Sequence, residues 1–116
     1  MERICTTIEQ SKKLIELGID RKTSDLYYWC GSDLRIGGYK AQDEELDIPA
    51  WSLTALLDLM PNELQDNHFL TLEKENDEYC CCYEDNNGNS FTHFFARDSL
   101  DAAFEMVCWL LENNKL

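Results

Sequence analysis

Apolar residues recur at helical spacing near the start of the chain. Over residues 7–17 they fall on one side of a helix, while glutamates and lysines fall on the other, which predicts an amphipathic helix. Thr6 followed three residues later by Glu9 predicts a capping box at its start. Gly18 suits the left-handed position just after a helix, and Ile19 beyond it can fold back onto the helix in a Schellman motif.

Two further segments show helical periodicity. The first of these helical segments covers residues 50–60, and its start can be either Pro49 or Ser52. It ends before the next proline, because a proline disfavours helix at the preceding residue. The other begins near Asp98, whose carboxylate can cap it, continues to Leu111 and frays at Asn113-Asn114. Apolar residues lie on nearly all sides of this last helix, so we expect it to be surrounded, lying across a sheet with other helices beside it.

Between residues 69 and 97 the apolar positions alternate instead, as they do in strands with one buried face. The turns Asn76-Asp77 and Asn87-Gly88 divide this stretch into three strands, and Asn-Gly is a strong hairpin signal. Two-residue turns set the register of both hairpins. The predicted opposite pairs are Glu73 with Cys80, Leu72 with Cys81, Thr71 with Cys82 and Leu70 with Tyr83 in the first hairpin, and Tyr83 with Thr92, Cys82 with His93, Cys81 with Phe94, Cys80 with Phe95, Tyr79 with Ala96 and Glu78 with Arg97 in the second.

This register separates the side chains of the predicted meander into two faces. The apolar face is predicted to meet the core and comprises Leu70, Leu72, Tyr79, Cys81, Tyr83, Phe94 and Ala96. The second face is mixed and comprises Phe69, Thr71, Glu73, Glu78, Cys80, Cys82, Glu84, Phe91, His93, Phe95 and Arg97. Because its aromatic residues need cover, we expect either another part of the chain or a partner to lie on it. Its candidate contact residues are Phe69, Phe91 and Phe95.

The remaining strand signal lies before the second predicted helix. Residues 26–30 are rich in aromatic residues and predict a strand, Gly31-Ser32-Asp33 predicts a turn, and residues 34–39 predict a returning strand weakened by two glycines. We therefore predict a single α+β domain over residues 1–116, in the order helix, hairpin or irregular strands, helix, three-stranded antiparallel meander, helix. A chain of 116 residues can bury a core without disulfide cross-links.

The six cysteines are interpreted as reduced thiols. Three of them are consecutive in a predicted strand, where neighbouring side chains point to opposite faces and cannot bridge one another. The N-terminus lacks the basic region and apolar run of a signal peptide, and no segment is long and apolar enough to span a bilayer. These features predict a cytoplasmic protein.

The formal net charge of −13 is unevenly distributed. Residues 1–40 carry seven Lys or Arg against six Asp or Glu, whereas residues 41–116 carry three against seventeen, a net of −14. An acidic surface repels nucleic acid and anionic membranes, so we expect neither as a direct partner. Such a surface serves either solubility or the binding of a basic surface on another protein.

The predicted register brings together four residues that could bind a metal ion, namely Glu73, Cys80, Cys82 and His93. Alternate residues on one strand and a residue opposite them can converge to the separation that zinc requires. However, the chain lacks the paired C-x₂-C spacings of structural zinc sites. The simpler interpretation, that the cysteines are half-buried apolar residues and the histidine an ordinary strand residue, is favoured, and no metal or other cofactor is expected.

A thiol nucleophile with His93 as its base is the other candidate chemistry. Proximity of Cys82 to an imidazole is necessary for such catalysis but insufficient. Nearby glutamates would raise a thiol pKa by repelling the thiolate, which works against this chemistry. No glycine-rich phosphate loop is present, because the Gly37-Gly38 pair lacks the Lys and Ser/Thr that such a loop requires. The sequence therefore does not predict an enzyme.

Three stretches resemble a known group of proteins. They are TIEQSKKL at residues 7–14, IPAWSL at residues 48–53 and DAAFEMVCWLLE at residues 101–112. The chain thereby resembles small uncharacterised proteins encoded by gut bacteria and by phage-derived or other mobile elements in their genomes. The resemblance covers the three predicted helices and implies a bacterial or phage-encoded origin, and no catalytic or binding residue is carried over from it.

The leading functional hypothesis from the sequence is a non-catalytic module that binds another protein, either through its acidic surface or through the second face, and a basic protein is one candidate partner. Two alternatives stay open. One is an acidic mimic of nucleic acid that inhibits a DNA- or RNA-binding protein, and the other is a thiol or metal protein that uses Cys80, Cys82 and His93. A homo-oligomer is compatible with each of these hypotheses.

Overall fold

The computed structural model describes residues 3–37, 46–65 and 67–116. In these residues the α-helices and β-strands, in chain order, are α1 (Ile8–Glu16), β1 (Leu26–Trp29), β2 (Asp33–Ile36), β3 (Ile48–Ala50), α2 (Leu53–Leu59), β4 (Glu63–Leu64), β5 (His68–Glu75), β6 (Glu78–Glu84), β7 (Ser90–Ala96) and α3 (Ser99–Glu112), and a short 3₁₀ helix covers Arg21–Thr23. The strands form two antiparallel sheets, ordered β2-β1-β3 and β4-β5-β6-β7. The second of these is called the main sheet. The predicted α+β class and order of elements are confirmed, with β3 and β4 as additions.

Helix α1 is confirmed, but its predicted cap is wrong by one residue. Thr7 is the N-cap: its Oγ1 accepts the N–H of Gln10 at 3.1 Å, and Gln10 Oε1 accepts the N–H of Thr7 at 3.0 Å. Thr6 is buried instead, and its Oγ1 accepts the N–H of Trp51 at 3.1 Å. The predicted Schellman motif is present, with Gly18 at φ +97° and the N–H of residue 19 donating to the carbonyl of Leu14 at 3.1 Å.

Helix α2 starts later than Pro49, which lies in β3 opposite Tyr27 of β1. Ser52 is the N-cap, and its Oγ accepts the N–H of Ala55 at 3.2 Å. The Asp25 carboxylate receives hydrogen bonds from both the N–H and the hydroxyl of Ser52, which ties the start of α2 to the segment before β1. Of the two predicted starts, the structure therefore has the serine.

The hairpin of β1 and β2 is confirmed and pairs Leu26 with Ile36 through Trp29 with Asp33. The predicted end of its second strand, residues 38–39, lies outside the described residues. After α2, the chain forms the short strand β4, whose Leu64 pairs with His68 of β5. The main sheet therefore has four strands where the sequence predicted three.

The predicted register is confirmed in both hairpins of the meander. It holds from Leu70 opposite Tyr83 to Glu73 opposite Cys80 in the first hairpin, and from Tyr79 opposite Ala96 to Tyr83 opposite Thr92 in the second. The second turn differs from the two-residue form. Asp85 N–H donates to the carbonyl of Asn89, and the pairing shifts at the step from Tyr83 to Glu84, which is opposite Ser90. The pairing of Glu78 with Arg97 is not made, since β7 ends at Ala96.

Helix α3 lies against the apolar face of β6 and β7, with α2 beside it. Eight of its fourteen residues are buried, as expected from its apolar surface: Leu100, Ala102, Ala103, Phe104, Met106, Val107, Cys108 and Leu110. All seven residues of the predicted apolar face belong to the core or pack against it. The same continuous core includes Leu14 of α1, Leu56 of α2, and Trp51 in the segment between β3 and α2, and it therefore joins both halves of the chain.

Candidate functional site

The outer face of the main sheet, on the side opposite α3, is the candidate functional site. The observed register assigns to this outer face Phe69, Thr71, Glu73, Glu75, Glu78, Cys80, Cys82, Glu84, His93 and Phe95. Within the described residues, no helix packs on it. Phe69 and Phe95 are 43% and 52% exposed, so the aromatic residues that were expected to need cover remain open to solvent.

Phe91 does not belong to the outer face, contrary to the predicted face assignment. Its ring makes an edge contact with Trp109 of α3, with 5.9 Å between centroids, and lies 5.7 Å from the ring of His68. The shift in pairing beside Glu84 explains this, because a bulge changes which face a residue occupies. Of the three predicted contact residues, Phe69 and Phe95 therefore share the outer face and Phe91 lies on the helix side.

The register brings Cys82 opposite His93 and Cys80 opposite Glu73, as predicted. The side chains nevertheless have other partners. Cys82 Sγ lies 3.0 Å from Thr71 Oγ1, while the His93 ring packs against Phe95 at 5.5 Å between centroids and has Nδ1 3.1 Å from Ser90 Oγ. In the part of the chain that the structure describes, no three His, Cys, Asp or Glu side chains converge to hold a metal ion.

The thiols of the outer face are poor nucleophiles at neutral pH. Burial raises the pKa of Cys80 to about 12, with smaller contributions from Cys82, Glu73 and Glu75. Burial also raises the pKa of Cys82, against a lowering effect of the hydrogen bond with Thr71. The glutamates act in the direction that the sequence indicated, but removal from water is the larger cause. Because the thiolate is the reactive form, this arrangement disfavours thiol catalysis.

We expect Cys30 to be the single fast-reacting thiol when the folded protein is treated with a small aromatic disulfide at mildly alkaline pH. Cys30 is exposed, whereas Cys80 is half-buried and the other four cysteines are buried. The exposure of a thiol and the fraction of it present as thiolate together determine the rate at which it reacts with the disulfide. Cys30→Ser should abolish the fast phase, and Cys80→Ser, the matched control, should leave it intact. A fast phase of two thiols would contradict the burial of the outer-face cysteines.

Between the strands of the outer face lies a shallow, open concavity. It is lined by Glu73, Glu75, Cys80, Cys82, Glu84, Gly88, Ser90, His93 and Phe95. Glu75 was missed in the sequence analysis, although the same alternation that assigned Glu73 extends to it. Three carboxylates beside an exposed phenylalanine ring can receive a positively charged side chain whose aliphatic part covers the ring.

Comparison of the chain with protein-family models, curated proteins and solved structures finds no significant match. None of the helices in the described ranges is both long and apolar enough to cross a bilayer. The geometry and charge of the chain itself are therefore the observations that bear on its function.

Proposed function

We propose that this protein is a non-catalytic binding module whose outer face receives a basic protein partner. The observation that supports the proposal most directly is the composition of that face. It combines two exposed phenylalanines with four glutamates, and its strand positions include no lysine or arginine. Exposed aromatic residues provide contact area, and a field of one sign selects partners of the opposite charge and speeds their association.

The two alternative functions have less support. Burial and raised thiol pKa values disfavour a site based on Cys80 and Cys82. A mimic of nucleic acid would require carboxylates spaced along one surface as phosphates are. The described carboxylates lie on several elements, among them α1, β2, the outer face and α3, for example at Glu9, Asp33 and Glu105. Binding of a basic protein needs only the outer face.

A capture experiment with matched variants tests the proposal. The wild-type protein, a Phe69→Ser/Phe95→Ser variant and an Ile36→Ser control are immobilised and exposed to a lysate of the source cell. Ile36 lies in the other sheet and is 86% exposed, so its replacement changes surface apolarity without touching the outer face. We expect a basic protein to bind the wild type and the control, and to bind the double variant about tenfold more weakly.

The salt dependence of the purified complex provides the second test. Since long-range attraction is screened by ions, the association rate constant should fall steeply as ionic strength rises. Equal loss of binding in the Ile36→Ser control, or a rate constant insensitive to salt, would refute the proposal.

A further inference from the structure

Strand β7 is an edge of the main sheet and pairs with β6 alone in the described part of the chain. It has seven residues, Ser90–Ala96, with no charged residue and no proline among them. An edge strand presents a row of backbone N–H and C=O groups that can pair with a further strand. A long uncharged edge is the kind that proteins otherwise protect.

The other edges of the two sheets have the protection that β7 lacks. Strand β4 has two residues, β2 has four residues that include Asp33 and Arg35, and β3 has three residues that include Pro49. Short length, charge and proline each discourage further pairing. In β7 the one irregularity is the shift near Ser90, and the pairing from Thr92 to Ala96 is regular.

A concavity lies on each side of β7. The concavity of the outer face includes Ser90, His93 and Phe95 from this strand. On the helix side, a second concavity is lined by Phe94 of β7 together with Lys13, Glu105, Cys108, Trp109 and Glu112. Successive side chains of a strand point to opposite faces of a sheet, so a strand added beside β7 would direct alternate side chains toward these two concavities.

We propose that β7 accepts an extended basic segment of the partner protein as an additional strand. This inference rests on the proposed function and specifies how the partner binds. Backbone hydrogen bonds to β7 would hold the segment, and side chains in the two concavities would select it. Apolar side chains fit the helix side, against Phe94 and Trp109, while lysine or arginine side chains fit the outer side, where they can extend toward Glu84 of β6.

Charge decides between a basic segment and a second copy of this chain. Each copy carries a net charge of −13, so pairing of two β7 strands would bring like charges together. The outer concavity has three glutamates, and the helix-side concavity has two against one lysine. Both linings therefore carry a net negative charge, which disfavours a second acidic chain as the occupant.

The test uses a blocked seven-residue peptide of alternating lysine and valine, and the same peptide with alternate backbone amides N-methylated. Hydrogen exchange of the protein amides in Ser90–Ala96 is followed by NMR. In an antiparallel pairing about half of these amides face the free edge. We expect the outward amides to exchange at least about tenfold more slowly when the first peptide is bound, and the N-methylated peptide to bind at least about tenfold more weakly.

A pair of variants with equal charge change serves as the control. His93→Lys places a positive charge on the outer side of β7 and should weaken binding of the lysine–valine peptide about tenfold. Leu34→Lys makes the same change of charge in the other sheet, on β2, and should change binding by less than about twofold.

Every other outcome overturns the inference. Equal binding of both peptides without protection in β7 would show that the outer face binds through side chains, so strand addition would fail while the proposed function remained. Absence of peptide binding would also exclude addition of a basic strand. The proposed function would then be tested separately by the capture experiment with the phenylalanine variants. Protection in β7 without peptide, increasing with protein concentration, would identify a second copy as the occupant.

Discussion

Trp51→Ala should lower the free energy of unfolding by about 3–5 kcal/mol, a large fraction of the stability of a domain of this size. Trp51 has no solvent exposure and lies in the continuous core. Its backbone pairs with Thr6, and its indole Nε1 donates to Thr23 Oγ1 at 2.9 Å. The alanine variant would leave a cavity and remove the donor from the threonine oxygen, and each effect destabilises the folded state.

Trp29→Ala is the matched control, because Trp29 is 43% exposed. The Arg35 guanidinium lies over its ring, 4.4 Å from the ring centroid. Loss of this exposed cation–π contact should cost about 0.5–1 kcal/mol. Urea unfolding followed by circular dichroism in reducing buffer measures both variants. Equal losses in the two variants would contradict the placement of Trp51 at the centre of the core.

Leu110→Ala should lower the free energy of unfolding by about 2–5 kcal/mol. Leu110 is fully buried on α3, which contacts α2, β6 and β7, so the surrounding elements cannot easily collapse into the space that the mutation creates. Leu116→Ala makes the same chemical change at an exposed position after α3 and should alter stability by less than about 0.5 kcal/mol. The urea midpoint and slope of each variant check this, and a loss below about 1 kcal/mol for Leu110→Ala would show that α3 is not enclosed.

The candidate site could be predicted in large part from the sequence. The alternation of apolar and polar residues over residues 69–97 and the two turn signals were sufficient to place Cys82 opposite His93 and Cys80 opposite Glu73. The alternating pattern fixes the strand register, because a shift of one residue would turn every apolar side chain of the core face toward solvent. The sequence thus determined which residues share the outer face, apart from those near the second turn.

Errors occurred where several local solutions are close in energy. Thr6 and Thr7 both precede a residue able to complete a capping box, and the choice of Thr7 follows from the contact of Thr6 with the backbone of Trp51. Pro49 is as acceptable at the start of an edge strand as in the first turn of a helix. It lies in β3 because that segment pairs with β1.

The sequence by itself determined the class of the fold, the three helices, the register of the meander and the acidity of the surface, because periodicity, turn residues and charge act over a few neighbouring positions. The tertiary structure decided which surfaces remain open. Phe91 lies on the helix side of the sheet, Phe95 is exposed, and β7 is an unprotected edge. These outcomes depend on which distant elements pack together, and α3 can cover only one face of the sheet.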